Sequence, residues 1–270
     1  MRTYAEHYQK CREFYNGAVN KTKYTSLYEV SVDENILELD SNYYNIINNL
    51  AEKTSHKFDH ELGCYSDKYA LRLNDWRDIE EISQLAEVVM PQLEEKVFHS
   101  NLAVEFVHPY RNLHSTPEPI SSWKWHYDDC PKEFLKLFVH LNDVTEDNGC
   151  MQLLQEDHGT FSVIESSRLG PQQWGKPNIP QKYQNSRIPE SVIQETVDTG
   201  GSIYNLTGKA GKCTLFTPNL PHRATVPKEG TIPRDVLVFF IRPALFSRKY
   251  INDKTCSYLP ERNVKVYQLD

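Results

Sequence analysis

Apolar residues recur every three to four positions in the segment that follows Asn74, which is the pattern of an amphipathic helix. Asp75 stands directly before this stripe and is predicted to cap the first turn. Pro91 should kink or end the helix, because it lacks a backbone N–H group and crowds the preceding turn. A weaker helical pattern covers roughly residues 43–53, so the N-terminal region is predicted to be mainly helical. The stripe consists of Trp76, Ile79, Ile82, Leu85, Val88 and Val89.

From Leu102 onward the pattern changes to short apolar and β-branched runs separated by turn residues. Eight antiparallel strands in two sheets form a jelly roll, also called a double-stranded β-helix. The sequence therefore predicts an α+β fold, mainly β, with a cupin-like jelly-roll core and an N-terminal helical region. The eight predicted strands cover residues 102–110, 123–128, 134–142, 150–154, 202–206, 213–217, 222–226 and 236–241.

Neither an internal repeat nor a linker rich in Gly, Ser or Pro divides the sequence. Residues 1–270 are therefore predicted to form a single domain, with a helical region over 1–99 packed on a jelly-roll core over 100–245. Residues 246–270 are expected to be a C-terminal extension. The polar stretch 169–196 carries four prolines and exceeds a normal connection, which indicates a lid-like insertion or a mobile loop.

Charge and cysteine content exclude several functional classes. The net charge is −7, with no sustained basic run, so nucleic acid is not an expected partner. No apolar run of about 18 residues can span a bilayer, and the first residues lack the apolar core of a signal peptide. The six cysteines form no C-x-x-C pair, which favours reduced thiols and a cytoplasmic location. The sequence does not indicate an oligomeric state.

Candidate chemistry is concentrated in His126-Tyr127-Asp128, which is followed 94 residues after Asp128 by His222 and 12 residues later by Arg234. Residues two apart on a strand point to the same side, so His126 and Asp128 can present an imidazole and a carboxylate to one point. Two histidines and one carboxylate occupy one face of a ferrous ion and leave the other positions open.

Alternatives stay open at this point, because an H-x-D pair by itself is a weak signal. The same ligands suit a zinc-dependent hydrolase, and a jelly-roll protein can bind a metal without any oxygenase activity. Asp129 is interpreted as a residue of a turn or as an acid that supports the site. The lesser alternative is that Asp129, in place of Asp128, is the metal ligand. His108, His114, His140 and His158 are read as core or surface histidines.

Four stretches resemble the phytanoyl-CoA dioxygenase-like family of Fe(II)/2-oxoglutarate oxygenases. They are residues 122–128, residues 138–149 with their acidic turn ending in Gly149, residues 154–159, and the run from Gly211 through His222 to Arg234. The sequence departs from the family where a Pro-Gly-Ser-His element is usual, since it reads Gln155-Glu156-Asp157-His158 there. The departure concerns a loop and spares the metal-ligand positions.

The resemblance implies that Fe(II) is held by His126, Asp128 and His222, which are also the catalytic residues, with 2-oxoglutarate and dioxygen as co-substrates. Arg234 would bind the distal carboxylate of 2-oxoglutarate, helped by the hydroxyl of Thr225 or Thr214. If the strand register differs from the predicted one, Arg242 is the fallback for Arg234 and would bind this carboxylate in its place. The alternative role for Arg234 is a surface ion pair with Asp235 or a nearby acid.

The reaction implied is hydroxylation or a related oxidation, because related iron halogenases carry a small residue at the position of Asp128. The expected substrate is a small soluble metabolite, with release of succinate and CO₂, and a peptide or protein side chain is the lesser option. Four basic residues are candidates for lining a pocket that binds an anionic group: Arg111, Lys136, Arg187 and Arg223. The simpler interpretation of each is a solvated charge on the protein surface.

Overall fold

The computed structural model describes residues 32–114, 119–131, 133–156, 160–168 and 179–244, together with six isolated positions before residue 32. Asp157 and His158, residues 169–178 of the predicted insertion and the whole predicted C-terminal extension lie outside the described residues. No helix in the described ranges is long and apolar enough to cross a membrane.

Helix α1 (Ser41–Asp59) begins where Asp40 accepts a hydrogen bond from the backbone N–H of Tyr43, at 2.8 Å. This is the N-cap arrangement that satisfies one of the otherwise unpaired N–H groups of the first turn. The helix is longer at both ends than the predicted segment 43–53. Its buried face includes Tyr43, Ile47 and Leu50, which pack with the second helix and the larger sheet.

Helix α2 (Glu80–Leu93) carries the predicted apolar stripe, but its start was predicted wrongly. Asp75 instead precedes a short 3₁₀ turn, Trp76–Asp78, and its side chain makes no capping hydrogen bond. Pro91 lies inside the helix, which continues to Leu93 and then widens into the π-helical turn Glu94–Phe98. The chain stays helical past the proline because buried side chains on both sides of it belong to one core cluster: Met90, Leu93, Val97 and Phe98.

The larger sheet has six strands in the order β1-β2-β3-β9-β4-β7, with antiparallel pairing throughout. Strands β1 and β2 lie in the region predicted to be helical and extend the sheet beyond the jelly roll. They were missed because each is only three or four residues long and is held by pairing, β2 with β3 and β1 with β2. The strands are β1 (Cys64–Ser66), β2 (Ala70–Leu73), β3 (Leu102–Asn112), β4 (Leu135–His140), β7 (Cys213–Phe216) and β9 (Asp235–Pro243).

The smaller sheet has three antiparallel strands in the order β6-β5-β8. They are β5 (Met151–Gln155), β6 (Ser202–Leu206) and β8 (His222–Ala224). The predicted strand over residues 123–128 is wrong: the segment contains the end of a 3₁₀ turn, Ser121–Trp123, and then pairs through His126 alone. Positive φ angles at Ser121 and Asp129 bend the chain before and after this point, which prevents a longer ladder.

The two sheets face each other, so the predicted α+β jelly roll with its N-terminal helices is confirmed. Helices α1 and α2 cover the outer face of the larger sheet. Between the sheets lies an apolar cluster to which both contribute, and its buried members are Phe138, Met151, Leu153, Leu206, Phe216, Leu220, Val236 and Val238. A helix missed in the predicted insertion, α3 (Glu190–Asp198), packs through Ile193 against Trp125 and Tyr127.

Candidate metal centre and co-substrate pocket

His126 and His222 lie directly opposite each other at the edge of the smaller sheet. The N–H of His126 donates to the carbonyl of His222 at 2.9 Å, and the N–H of His222 donates to the carbonyl of His126 at 2.8 Å. Opposed residues of an antiparallel pair carry their side chains on the same face. The two imidazole rings are accordingly 4.3 Å apart between centroids.

Asp128 completes a triad whose ligand atoms all lie within 4.8 Å of one another. Its carboxylate oxygens are 3.8 Å from Nε2 of His126 and 3.8 Å from Nε2 of His222. The backbone N–H of Asp128 donates to Pro218 at 3.0 Å, which ties the H-x-D segment to the turn that precedes His222. Sequence reasoning selected these three residues, and the structure brings them together.

Hydrogen bonds to the backbone fix the tautomer of both histidines. Nδ1 of His126 lies 2.8 Å from the carbonyl of Lys124, and Nδ1 of His222 lies 2.7 Å from the carbonyl of Leu220. A carbonyl oxygen only accepts, so each Nδ1 carries the proton and each Nε2 keeps its lone pair. Both lone pairs are therefore directed to the side of Asp128, as a metal ion requires.

Burial sets the protonation states of the triad. Burial lowers the pKa of His126 to about 4, although the negative charge of Asp128 opposes this shift. Burial and the nearby His126 lower the pKa of His222 well below its usual value. Burial by itself would raise the pKa of Asp128, but the ammonium of Lys136 and the two imidazoles hold that pKa well below its ordinary range. At neutral pH the site offers two neutral imidazoles and a carboxylate, which are ligand forms for a divalent metal.

Arg234 lies in the same cavity as the triad and is a buried cation, 1 % exposed. None of its three guanidinium nitrogens has a hydrogen-bond partner among the described residues. The guanidinium carbon is 5.7 Å from the ring centre of Tyr110 and 5.5 Å from that of Phe138. A buried charge without a partner is costly, so this arrangement fits an anionic ligand that the guanidinium binds with two parallel hydrogen bonds.

The neighbouring acid is not available to Arg234. Both carboxylate oxygens of Asp235 accept hydrogen bonds from Arg111 at 2.7 Å, and Arg111 also reaches Asp59 of α1. The alternative in which Arg234 forms a surface ion pair with Asp235 is therefore wrong. Arg234 immediately precedes β9, and alternation between it and Asp235 directs Arg234 to the inner face of the sheet and Asp235 to the helical side.

The sequence matches the profile of the family described as Phytanoyl-CoA dioxygenase (PhyH) over residues 74–226. The chain belongs to the phytanoyl-CoA dioxygenase (PhyH) family. Comparison of the sequence with curated proteins gives no match.

Among solved structures, EctD supports the fold of this PhyH family member, and two further structures are less similar to it. EctD from S. alaskensis in its apoform is 14% identical, with a TM-score of 0.51, over 79% of this chain and 72% of that chain. HygX from Streptomyces hygroscopicus, with nickel, 2-oxoglutarate and hygromycin B bound, is 16% identical over 80% of this chain and 83% of its own, with a TM-score of 0.44. The epimerase SnoN from nogalamycin biosynthesis is 14% identical over 87% of this chain and 84% of its own, with a TM-score of 0.45.

Membership of the PhyH family assigns iron as the metal, with 2-oxoglutarate and dioxygen as co-substrates. The described residues fit these groups. Two Nε2 atoms and a carboxylate converge as a ligand set for iron, and the unpartnered guanidinium of Arg234 faces the same cavity.

The hydroxyl of Thr225, predicted to assist Arg234, lies elsewhere. It donates to the carbonyl of Cys150 at 3.2 Å, and Thr225 is absent from the described lining of the cavity. The structure therefore does not support Thr225 as a co-substrate ligand. Thr214 is buried on β7 opposite Phe138, and its hydroxyl has no partner among the described residues. Arg242, the fallback for Arg234, is held at 2.5 Å by Glu105 and is not available.

The residues that flank the ligands have structural roles. Trp125 and Tyr127 are buried on the face opposite His126 and Asp128, as strand-like alternation requires. The indole N–H of Trp123 donates to Asn112 at 3.0 Å. Asp129 turns away from the triad and accepts hydrogen bonds from Ser166, Ser167 and Gln181, so it anchors the segments that border the site.

Of the four basic residues considered for an anion pocket, Lys136 alone belongs to the described lining of the cavity. Its ammonium pairs with Asp128 and lies over the ring of Phe240 at 4.8 Å. Arg111 is committed to Asp235 and Asp59. Arg223 lies over Trp125 and bonds Gln152, and Arg187 contributes a backbone bridge to His126.

Sequence reasoning did not assign to the site several polar residues that line the same cavity, among them Tyr69, Arg72, His108 and Ser122. Tyr69 precedes the short strand β2 and Arg72 lies on it, and no local pattern indicated that strand. His108 was assigned to the core or surface, but on β3 it shares the inward face with Tyr110. The alternation of β3 was a usable signal for His108 once its neighbour in the sheet was known.

Lowering the pH should destabilise the protein through His140, a buried residue of β4. Burial and then the charge of Arg234 lower the pKa of His140 from 6.5 to about 3. Between these values the unfolded chain binds more protons, so the contribution to stability is present above 6.5 and is lost as the pH falls toward 3. From pH 7 to pH 5 this loss is about 2 kcal/mol.

Urea unfolding at both pH values tests this. His140→Asn should lose less unfolding free energy between pH 7 and pH 5 than the wild type. His60→Asn, at an exposed position, should behave as the wild type does. An equal loss in the wild type and in His140→Asn would contradict the assignment.

Proposed function

We propose that this protein hydroxylates a small-molecule substrate in an Fe(II)- and 2-oxoglutarate-dependent reaction. The substrate C–H, 2-oxoglutarate and dioxygen are converted to C–OH, succinate and CO₂. One oxygen atom of dioxygen enters the product and the other enters succinate, and the two electrons that hydroxylation does not supply come from oxidative decarboxylation of 2-oxoglutarate. The iron supplies the oxidising chemistry when bound.

The observation that carries the proposal is the pairing of two features in one cavity. The first is the triad of His126, Asp128 and His222, and the second is the buried guanidinium of Arg234 without an acidic partner. A zinc hydrolase would use the triad but would leave Arg234 without a role. Retention of Asp128 as the third ligand favours hydroxylation over halogenation.

The residues of the chain have distinct tasks in this proposal. His126, Asp128 and His222 hold Fe(II), and Arg234 binds the distal carboxylate of 2-oxoglutarate through its planar fork of N–H donors. Phe138 and Val238 are paired neighbours on the larger sheet, and both line the cavity, where their apolar side chains keep the co-substrate out of water. Exclusion of water strengthens the ion pair of Arg234 with its ligand.

We propose a small soluble metabolite as the substrate. The described part of the cavity lies between the two sheets and is lined by aromatic side chains such as Tyr69, Tyr110 and Phe240, which suits a compact ligand.

The four cysteines in the described ranges are free thiols, which supports a reducing compartment such as the cytoplasm.

Anaerobic titration of metal-free protein with Fe(II) and then 2-oxoglutarate tests the cofactor part of the proposal. The expected result is a weak visible charge-transfer band that grows with 2-oxoglutarate and saturates at one equivalent per chain. Admission of oxygen should then give succinate. Zn(II) in place of Fe(II) is the control and should give neither. Folded protein that binds Fe(II) but shows no band and releases no succinate would overturn the proposal.

A further inference from the structure

The cavity that contains the triad has a second basic region, formed by β2 and β3. Arg72 of β2 pairs in register with Tyr110 of β3, and His108 lies two residues before Tyr110 on the same face. Arg72, His108, Tyr110 and Lys136 all line the cavity. The guanidinium carbon of Arg234 is 5.7 Å from the centre of the Tyr110 ring, so Tyr110 has cationic side chains near it from two strands.

Arg72 is only partly committed to other residues. Its Nε atom is 3.3 Å from Asp67, and its Nη2 atom donates to the hydroxyl of Tyr69 at 2.6 Å. Its Nη1 atom has no hydrogen-bond partner among the described residues, and the side chain is 32% exposed. The guanidinium is thus positioned by two protein contacts and keeps donor capacity for a ligand.

Lys136 of β4 adds a second positive charge on the same face of the larger sheet as Arg72. It is 9 % exposed, and its ammonium is held by Asp128 and by the rings of Phe216 and Phe240. His108 lies between the two cations, and burial together with the charges of Arg72 and Lys136 lowers its pKa to about 4. His108 is therefore a neutral hydrogen-bonding group at neutral pH.

The charges of the cavity do not balance without a further anion. Among the described lining residues, Arg72, Lys136 and Arg234 are cationic and Asp128 is the single carboxylate. The two charges of Fe(II) and the two of 2-oxoglutarate cancel each other, and Asp67 offsets Arg72 from outside the cavity. One positive charge remains, and an uncompensated charge in a largely buried cavity is unfavourable.

We propose that the substrate carries an oxyanion, a carboxylate or a phosphate, which Arg72 binds with hydrogen-bonding help from His108 and Ser122. Lys136, on the same face of the larger sheet, adds to the positive field. The oxyanion orients the substrate so that the carbon to be oxidised faces the triad. This inference rests on the proposed oxygenase function and gives it a substrate class.

Binding to protein loaded with Ni(II) and 2-oxoglutarate tests the substrate class, because nickel does not support turnover and 2-oxoglutarate occupies Arg234. The probes are short-chain carboxylic acids, N-acyl amino acids and sugar phosphates, each paired with its primary amide or its free alcohol. Thermal stabilisation of the loaded protein reports binding. Succinate release with Fe(II) and oxygen, at concentrations set by the binding data, reports turnover.

At least one anionic probe should stabilise the wild type while its uncharged counterpart does not, and the class that binds distinguishes carboxylate from phosphate. Arg72→Gln should weaken that probe by about tenfold or more and leave 2-oxoglutarate affinity unchanged. Arg72→Lys should retain part of the affinity, because it keeps the charge. Arg77→Gln is the matched control, since Arg77 is an exposed arginine nearby that lies over Trp76 and does not line the cavity.

Three results would overturn the inference while leaving the proposed function intact. They are equal binding of charged and uncharged counterparts, unchanged probe affinity in folded Arg72→Gln, and binding of 2-oxoglutarate with no response to any anionic probe. Failure of the wild type to bind 2-oxoglutarate is a different outcome, and it would remove the proposed function together with this inference.

Discussion

Replacing Asp128 by alanine should lower the affinity for Fe(II) by about 100-fold or more, since losing a ligand costs at least as much as losing a supporting contact. The two imidazoles would remain opposite each other, because the backbone bridge between His126 and His222 does not involve Asp128. Without the carboxylate they lack the negative charge that binds the metal most strongly. Equilibrium dialysis with Fe(II) under anaerobic conditions measures the change.

The same substitution should also destabilise the protein, because Asp128 is the ion-pair partner of the buried Lys136. Removing one member of a buried pair costs roughly 3–5 kcal/mol. The double variant Asp128→Ala/Lys136→Met removes both charges and should recover much of that loss without recovering Fe(II) binding. The comparison separates the ligand role of Asp128 from its role in folding.

Asp129→Asn is the matched control for Asp128→Asn. The two carboxylates are adjacent, but Asp129 is bound to Ser166, Ser167 and Gln181 and faces away from the histidines. Asp129→Asn should keep the affinity for Fe(II) and Asp128→Asn should lose it. The reverse result would show that Asp129 is the metal ligand and that Asp128 serves only to pair Lys136.

Replacing Arg234 by methionine should change two properties in opposite directions. The affinity for 2-oxoglutarate should fall by at least about 30-fold, which corresponds to the roughly 2 kcal/mol lower limit for loss of a buried charge-assisted contact. The unfolding free energy without 2-oxoglutarate should rise by about 1 kcal/mol or more, because a buried cation without an acidic partner is removed. Titration of the charge-transfer band and urea unfolding measure the two effects.

Arg234→Lys and Arg223→Gln are the controls. A lysine keeps the charge but lacks the planar fork, so it should bind 2-oxoglutarate with intermediate affinity. Arg223 lies over Trp125, outside the described lining of the cavity, and its replacement should leave the affinity unchanged. Wild-type affinity for 2-oxoglutarate in Arg234→Met would exclude this residue as the anchor of the distal carboxylate.

The fold class and the family could be predicted from the sequence because they depend on local patterns. Short alternating runs after Leu102 indicated the strands of a jelly roll, and all but one of the eight predicted runs overlap an observed strand. The failure, residues 123–128, comes from positive φ angles at Ser121 and Asp129 that strand-like composition does not reveal. Strands β1 and β2 were missed for the opposite reason, since pairing forms them despite their shortness: β2 pairs with β3, and β1 pairs with β2.

The sequence by itself determined the order of chemical groups: His126 and Asp128 two apart, His222 after a proline turn, and Arg234 before the last strand. Alternation is a local property of extended chain, so the shared direction of His126 and Asp128 could be read directly. The tertiary structure decided which polar groups remain available. Asp235, Arg242 and Thr225 are occupied by Arg111, Glu105 and Cys150, whereas Arg234, Arg72 and His108 face the cavity, because long-range strand register sets each side chain's neighbours.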